Sequence, residues 1–409
     1  MFTDAERSIL RALAQKQLEA AHSSKNLERV ALWKRHNALK GERPVLHIEI
    51  NTFEDEVIGP RLKCADPVAR EIEARLWRSM INLTEFDDDK VVPDYYGISQ
   101  EYDYQPLGFE IRMHHAADGG LGHQFEHQIS DLKGEFSKLG TSRFIPRDAA
   151  FHAHFDAAQD VIGDILPVRR VMPSLYATPT QDIVHIMGLE NMLYALYDYP
   201  EELRQMIERI ADGYIAHFDM LEKNGLLLPT TGFEETNQGS LSFTDELPHE
   251  GPVTVGQVWG FMDSQETVGV SKEMFEELIF PAYYRVGSRF GLLSYGCCEP
   301  VDPVWELLSR FQNLRKVSVS AWADKEKMGG YLAGSRTIYQ RKPSPNYLGV
   351  GTTFDEDGWR AHIEQTLRCA KDCKLEFTVR DVYTINSDIG KVRRAVEIMR
   401  ESIARLWNA

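Results

Sequence analysis

The sequence predicts an α/β protein, specifically a (β/α)8 TIM barrel, and three observations lead there. From residue 167 onward short apolar runs alternate with amphipathic helical stretches, the pattern of a parallel sheet covered by helices. An earlier run, PVLHIEI at 44–50, brings the strand units to about eight, the number a closed barrel needs. No GxGxxG or Walker-type glycine loop opens any of the helices, which removes the usual mark of a nucleotide-binding open sheet.

The elements follow in chain order. Residues 1–43 read as an N-terminal helical extension, rich in charge, with Leu10, Leu13, Leu18 and Leu32 in a broken apolar stripe. Residues 44–409 read as the barrel. Residues 67–81 (PVAREIEARLWRSMI) have helical spacing with Pro67 near the start. Residues 84–160 are weakly patterned, acidic and rich in His and aromatics, and read as an inserted lid or as contacts of a homodimer. Then come the strand candidates VRRVMPSLYA, GLLLPTT, VTVGQVWGFMD, FGLLSYGCC, KVSVSAWAD, TIYQRKPSP and CKLEFTVRDVYTIN. Helical stretches such as SKEMFEELIFPAYYRVGSRFG and FDEDGWRAHIEQTLRCAKDC lie between many of them.

Composition narrows the class. A net charge of −16 offers no basic surface for nucleic acid. No apolar run approaches the about 20 residues that span a bilayer. The start, MFTDAERSIL, lacks a basic segment followed by an apolar one, so it is not a secretory signal. Five cysteines, an odd and small number, argue against a disulfide framework and for a reducing cytoplasm.

In such barrels chemistry collects at the C-terminal ends of the strands. Here those ends carry His47, Glu49 and Asn51; Glu234, Glu235 and Asn237; Asp263, Ser264, Gln265 and Glu266; and Tyr295, Cys297, Cys298 and Glu299. Trp322 and Asp324, Arg341 and Lys342, and Arg380, Asp381 and Tyr383 complete the ring. Thiolates beside carboxylates suit Zn²⁺. Successive strand residues face opposite ways, so Cys297 and Cys298 can share one metal only if the chain bends there. Using one of them, Cys298, is more economical. The plainer alternative is two buried thiols acting as small hydrophobes. DSQETVG (263–269) reads equally as a turn capped by Ser271 or as a site for Asp263 and Gln265. His114, His115, His123 and His127 read as solvated or lid histidines, and His185 as facing a ligand or filling the core. No GxSxG elbow supports a serine hydrolase.

The run VWGFMDSQETVGVSKEMFEELIFPAYYRVGSRFGLLSYGCCEPVDPVWELLSRFQNLRKVSVSAWAD, with ENMLYALYDYPEEL and KVRRAVEIMRE, resembles the uroporphyrinogen decarboxylase superfamily. The resemblance covers roughly residues 165–405 and, more weakly, 44–50. It implies a TIM barrel and one of two activities. The true decarboxylases of that superfamily use an Arg-rich N-terminal motif, where this chain has PVLHIEINTFEDEVIG. The other branch comprises zinc-dependent methyltransferases that work with corrinoid proteins, with a metal site resembling His-x-Cys at one strand end and Cys at the last. Cys298 matches the first Cys, Gly296 stands at the His position, and the final Cys falls near Asp381.

The resemblance therefore implies a methyltransferase, with zinc held by Cys298, Asp381 and Glu299. It would move a methyl group between a small-molecule donor, such as a methoxylated aromatic undergoing O-demethylation, and a corrinoid (cobalamin) carried by a partner protein. In that reading Cys298, Asp263 and Glu234 are catalytic, while Gln265, Tyr295, Trp259, Trp322, His185 and Lys342 bind substrate. The alternatives are a metal-free decarboxylase or lyase acting on a small carboxylic acid, and a barrel that binds a metabolite or protein without catalysis.

Overall fold

The computed structural model describes residues 2–115 and 123–407. Seven strands form one parallel sheet: β1 (Val45–Ile48), β2 (Leu175–Ala177), β3 (Trp259–Met262), β4 (Leu292–Tyr295), β5 (Leu314–Val319), β6 (Ile338–Arg341) and β7 (Leu375–Val379). Their order is β1-β7-β6-β5-β4-β3-β2. Every strand is buried on both faces except at Tyr176, which is why the sequence shows them as near-continuous apolar runs.

The sheet curls like a barrel, but among the described residues no strand joins β1 to β2, so the expected closed eight-stranded ring is not formed. The expected strand GLLLPTT is coil. Pro229 has no N–H to give to a ladder, and the chain there turns towards the barrel interior. Side chains serve the open edge of β1 instead. The Leu46 N–H donates to Asp89 Oδ2 (3.0 Å), the Ile48 N–H to Asp88 Oδ2 (2.8 Å), and Asn82 Nδ2 donates to the Ile48 carbonyl (2.7 Å). Capping the edge this way leaves no bare backbone to template another strand.

A short hairpin, Glu235–Asn237 with Ser240–Leu241, fills the interior. Asn237 Nδ2 donates to Ser294 Oγ (2.7 Å) and Gln340 Oε1 (2.6 Å), and Gln340 Nε2 donates on to Thr378 Oγ1 (3.0 Å). Lys316 Nζ donates to Glu376 Oε2 (3.1 Å) and to Ser240 Oγ, while His47 Nδ1 meets the Gly239 carbonyl. Gly239 has φ +102, and an added Cβ would lie 2.8 Å from Thr378 Cγ2. Glycine is required there by conformation and by space. A polar inner face thus finds polar partners in the hairpin, as buried hydrogen-bonding groups must.

The two helices of residues 1–43, α1 (Asp4–Ala21) and α2 (Ser24–Asn37), have distinct tasks. A capping box between Thr3 and Glu6 starts α1, whose buried Leu10, Leu13 and Ala14 pack on α3 (Pro67–Ile81). Helix α2 stoppers the lower end of the barrel. His36 Nε2 lies 3.3 Å from Glu376 Oε2, and Trp33 offers its ring face to Lys316 at 5.2 Å. Region 84–160 carries short strand pairs, Tyr102–Gln105 with Arg143–Pro146 among them, and α4 (Asp148–Ile162). Of its His-rich stretch, Met113–His115 pairs with His123–Phe125. Residues 116–122 lie outside the described residues. Among the described residues no helix is long and apolar enough to cross a membrane.

Candidate active site at the barrel mouth

Side-chain parity decides what reaches the mouth. Ser294 points inward to Asn237, so Tyr295 points outward, where its hydroxyl pairs with Ser264 Oγ at 2.8 Å. On β3, Trp259 faces in at the lower end, its Nε1 donating to the Ser242 carbonyl (3.0 Å). Phe261 is next on that face, packed on Tyr176 with ring centroids 5.2 Å apart, and Asp263 follows at the top. Trp259 and Tyr295, both expected to bind substrate, are therefore fully buried away from the mouth.

Past Tyr295 the chain bends. Gly296 has φ +97, and the bend brings the two thiols together, Cys297 Sγ lying 3.5 Å from Cys298 Sγ. The condition for both sulfurs to face one point is met. Cys297 is the more enclosed: Gln238 Nε2 donates to its sulfur (3.0 Å), and Arg380 Nη1 lies 3.7 Å away. Lys342 Nζ donates to Gln238 Oε1 (2.8 Å) and to the Cys297 carbonyl (2.9 Å). The thiol hydrogen bond from Cys298 holds the Cys297 titration well below the usual cysteine range against burial, with Lys342 and Arg380 adding positive charge. Cys298 moves the other way, because it donates that bond and is itself partly buried. The anionic sulfur is thus Cys297.

The carboxylates divide. Glu299 accepts the N–H groups of Ser264 (3.0 Å) and Cys297 (2.8 Å), so it braces the bend. Burial raises its titration. Asp263 is 1% exposed, and neither of its carboxyl oxygens has a hydrogen-bond partner among the described residues. Burial first, then the nearby Glu299 and Cys297, push the titration of Asp263 well upward, which favours its protonated form. Asp381 Oδ2 lies 3.7 Å from Cys298 Sγ, while its Oδ1 meets Arg380 Nη2 at 3.0 Å.

The remaining expected residues are dispersed. Glu234 accepts from the Tyr95 hydroxyl, Gln265 sits half-buried in a turn, and Trp322 stands 77% exposed. His185 lies on α5 (Pro179–Met187) and lines a separate cavity of about 420 Å³ beside the barrel. Among the described residues no three His, Cys, Asp or Glu side chains are arranged to hold a metal ion. Cys298 and Asp381 are adjacent, but Glu299 is committed to backbone amides. The donors therefore do not fit a tetrahedral zinc site. Gln238 carried no signal in the sequence, because it sits in a polar segment that reads as a surface loop.

No model of a known protein family matches the chain, and neither does any curated protein. Among solved structures, a methyltransferase from Methanosarcina mazei aligns over 91% of this chain and 97% of its own, at 11% identity and a TM-score of 0.49.

Proposed function

We propose that the chain is a methyltransferase acting at the barrel mouth, moving a methyl group between a small methylated substrate and a corrinoid protein. The observation that carries this reading is the buried Asp263, its carboxyl oxygens unpartnered among the described residues, near the sulfur of Cys297. A methyl group leaving oxygen, nitrogen or sulfur is electron-poor in transit, and the atom it leaves needs a proton. Asp263, whose titration burial raises, supplies that proton to the departing heteroatom, as a general acid does. The Cys297 sulfur places negative charge beside the path of the methyl group, and the Cys298 thiol hydrogen bond, helped by Lys342 and Arg380, favours its ionised form. The acceptor chemistry belongs to the corrinoid of the partner. The resemblance of YGCCEP and its surroundings to the corrinoid-dependent branch supplies the reaction class. No step passes through zinc, because the donor set does not fit it.

The second reading is a metal-free decarboxylase or lyase acting on a small carboxylic acid. The buried Lys342, close to the buried Asp263, and the partly buried Arg380 favour it. Incubating the chain with methoxylated aromatics or methylamines and a reduced corrinoid protein, while following the corrinoid spectrum, separates the two. Methyl transfer that is lost in Asp263→Asn supports the first. Release of CO₂ from a small acid without methyl transfer replaces it with the second.

A further inference from the structure

The cavity beside the barrel has a chemistry of its own. Its outer wall comes from the strand pair 102–105 and 143–146, and its inner wall from β2, α5 and α6 (Pro200–Lys223). At about 420 Å³ it lies within the roughly 300–1,000 Å³ range of small-molecule sites. One wall is a continuous aromatic stack. His217 lies flat on Phe144 with centroids 3.8 Å apart and planes at 8°, and Tyr104 stacks on the same ring at 4.2 Å. Tyr102 meets His217 edge-on at 4.9 Å.

Two titratable groups stand out among the polar lining residues, Asp182 and His217. Asp182 Oδ2 accepts from the Tyr214 hydroxyl (2.8 Å) and the Tyr104 hydroxyl (3.1 Å). Burial raises the Asp182 carboxyl to about 8, so it carries little charge at pH 7. His217 Nδ1 is buried and has no partner among the described residues, and burial lowers that imidazole to about 4, so the ring is neutral. Arg170, the one Lys or Arg among the lining residues, is exposed at the rim with its guanidinium over Phe151.

We propose that this cavity binds an uncharged, planar aromatic compound whose single hydroxyl or N–H group pairs with His217 Nδ1. The stacked wall selects a flat π-face, and the absence of a deep counter-ion among the lining residues disfavours a charged ligand. An orphaned buried nitrogen selects one hydrogen-bonding substituent. Tyr176 lines this cavity and packs on Phe261 of the barrel, so an occupant lies one ring away from the mouth. The proposal stands independently of the reaction, because binding is read directly.

The test uses the full chain and three probes, 2-naphthol, naphthalene and decanol, in calorimetric and fluorescence titrations. Saturable one-to-one binding of 2-naphthol is expected, with naphthalene weaker and decanol weaker still. His217→Phe keeps the stack on Phe144 and removes the nitrogen. It should weaken 2-naphthol by about three- to ten-fold, the worth of one hydrogen bond, while leaving naphthalene unchanged. Leu226→Trp, which fills the cavity, should abolish both. If that variant does not fold, the His217→Phe comparison still decides. Decanol binding as well as 2-naphthol, equal losses for naphthol and naphthalene in His217→Phe, or no saturable binding of any probe overturns the proposal.

Discussion

Replacing Asp182 by Asn should make the protein more stable at alkaline pH, and the structure sets the size of the effect. In the unfolded chain Asp182 loses its proton near 3.8, whereas burial in the aromatic cavity holds the proton until about 8. Between those values the folded state binds one more proton than the unfolded state. Stability must therefore fall as pH rises, by about 1.4 kcal/mol per pH unit. Below the unfolded value the group costs nothing, and above the folded value the cost is constant. From about pH 5 to about pH 8 the loss amounts to about 4 kcal/mol, an order-of-magnitude figure.

An amide does not titrate, and its carbonyl oxygen can accept the same two tyrosine hydroxyls. Its new N–H₂ group needs a partner and costs about 1–3 kcal/mol if it finds none. At about pH 5 the variant should thus equal or trail the parent. By about pH 8 it should lead, gaining about 4 kcal/mol of relative stability across the interval. Urea or thermal denaturation of both proteins at matched pH values measures the difference, in which the other titrating groups cancel. A difference that stays flat from pH 5 to 8, or runs the other way, would falsify the assignment of Asp182 as a neutral acid.

Further outcomes are expected at the thiol pair, Lys316, Gly239 and Asp263. Ultraviolet absorbance should show a thiolate at neutral pH in the parent and none in Cys297→Ser. Cys298→Ser should retain it only at higher pH, because the Cys298 thiol hydrogen bond is the largest influence holding the Cys297 titration down. Lys316→Met leaves Glu376 as an uncompensated buried charge and should cost about 3–5 kcal/mol in denaturation. Gly239→Ala forces a Cβ onto Thr378 at positive φ, and overpacking of this kind costs about 1–3 kcal/mol by the same assay. Asp263→Asn should keep its circular dichroism and lose about 10²- to 10⁴-fold in turnover once a substrate is found.

What could be read in advance follows from burial. Parallel strands buried on both faces announce themselves as apolar runs, so each of the seven strands overlaps an expected segment, although β5 begins at Leu314, ahead of KVSVSAWAD. GLLLPTT has the same composition but becomes coil, since Pro229 cannot join a ladder and the next residues leave for the interior. The filling hairpin, TNQGSL, was illegible because polar residues in a short run normally mark surface loops. A trace of it does exist elsewhere. His47, Lys316, Ser318, Gln340, Glu376 and Thr378 alternate with apolar neighbours on their strands, which signals a polar inner face in need of polar contents. Parity also explains the thiols. Continuing the strand alternation through Gly296 sets Cys297 and Cys298 on opposite sides, whereas the positive φ at that glycine turns both to the same side.

The hairpin has a consequence for chemistry. Because it occupies the barrel from Ser240 beside Lys316 up to Gln238 beneath Cys297, no substrate can descend between the strands. Under the proposed function, reaction is confined to the layer formed by Asp263, Cys297, Lys342 and Arg380 at the top. A shallow site suits a reaction in which a large partner must bring its own reactive group to the substrate. The same filling leaves the barrel axis without room for a substrate's bulk, and the aromatic cavity on the far side of Tyr176 is well placed to hold it. Moving Tyr176 is then the step that would join the two. Because Tyr176 lines the cavity and packs on Phe261, Tyr176→Ala should both weaken 2-naphthol binding and change which substrates are turned over at the mouth. Weaker naphthol binding with an unchanged substrate range at the mouth would confine Tyr176 to the cavity and break the proposed link.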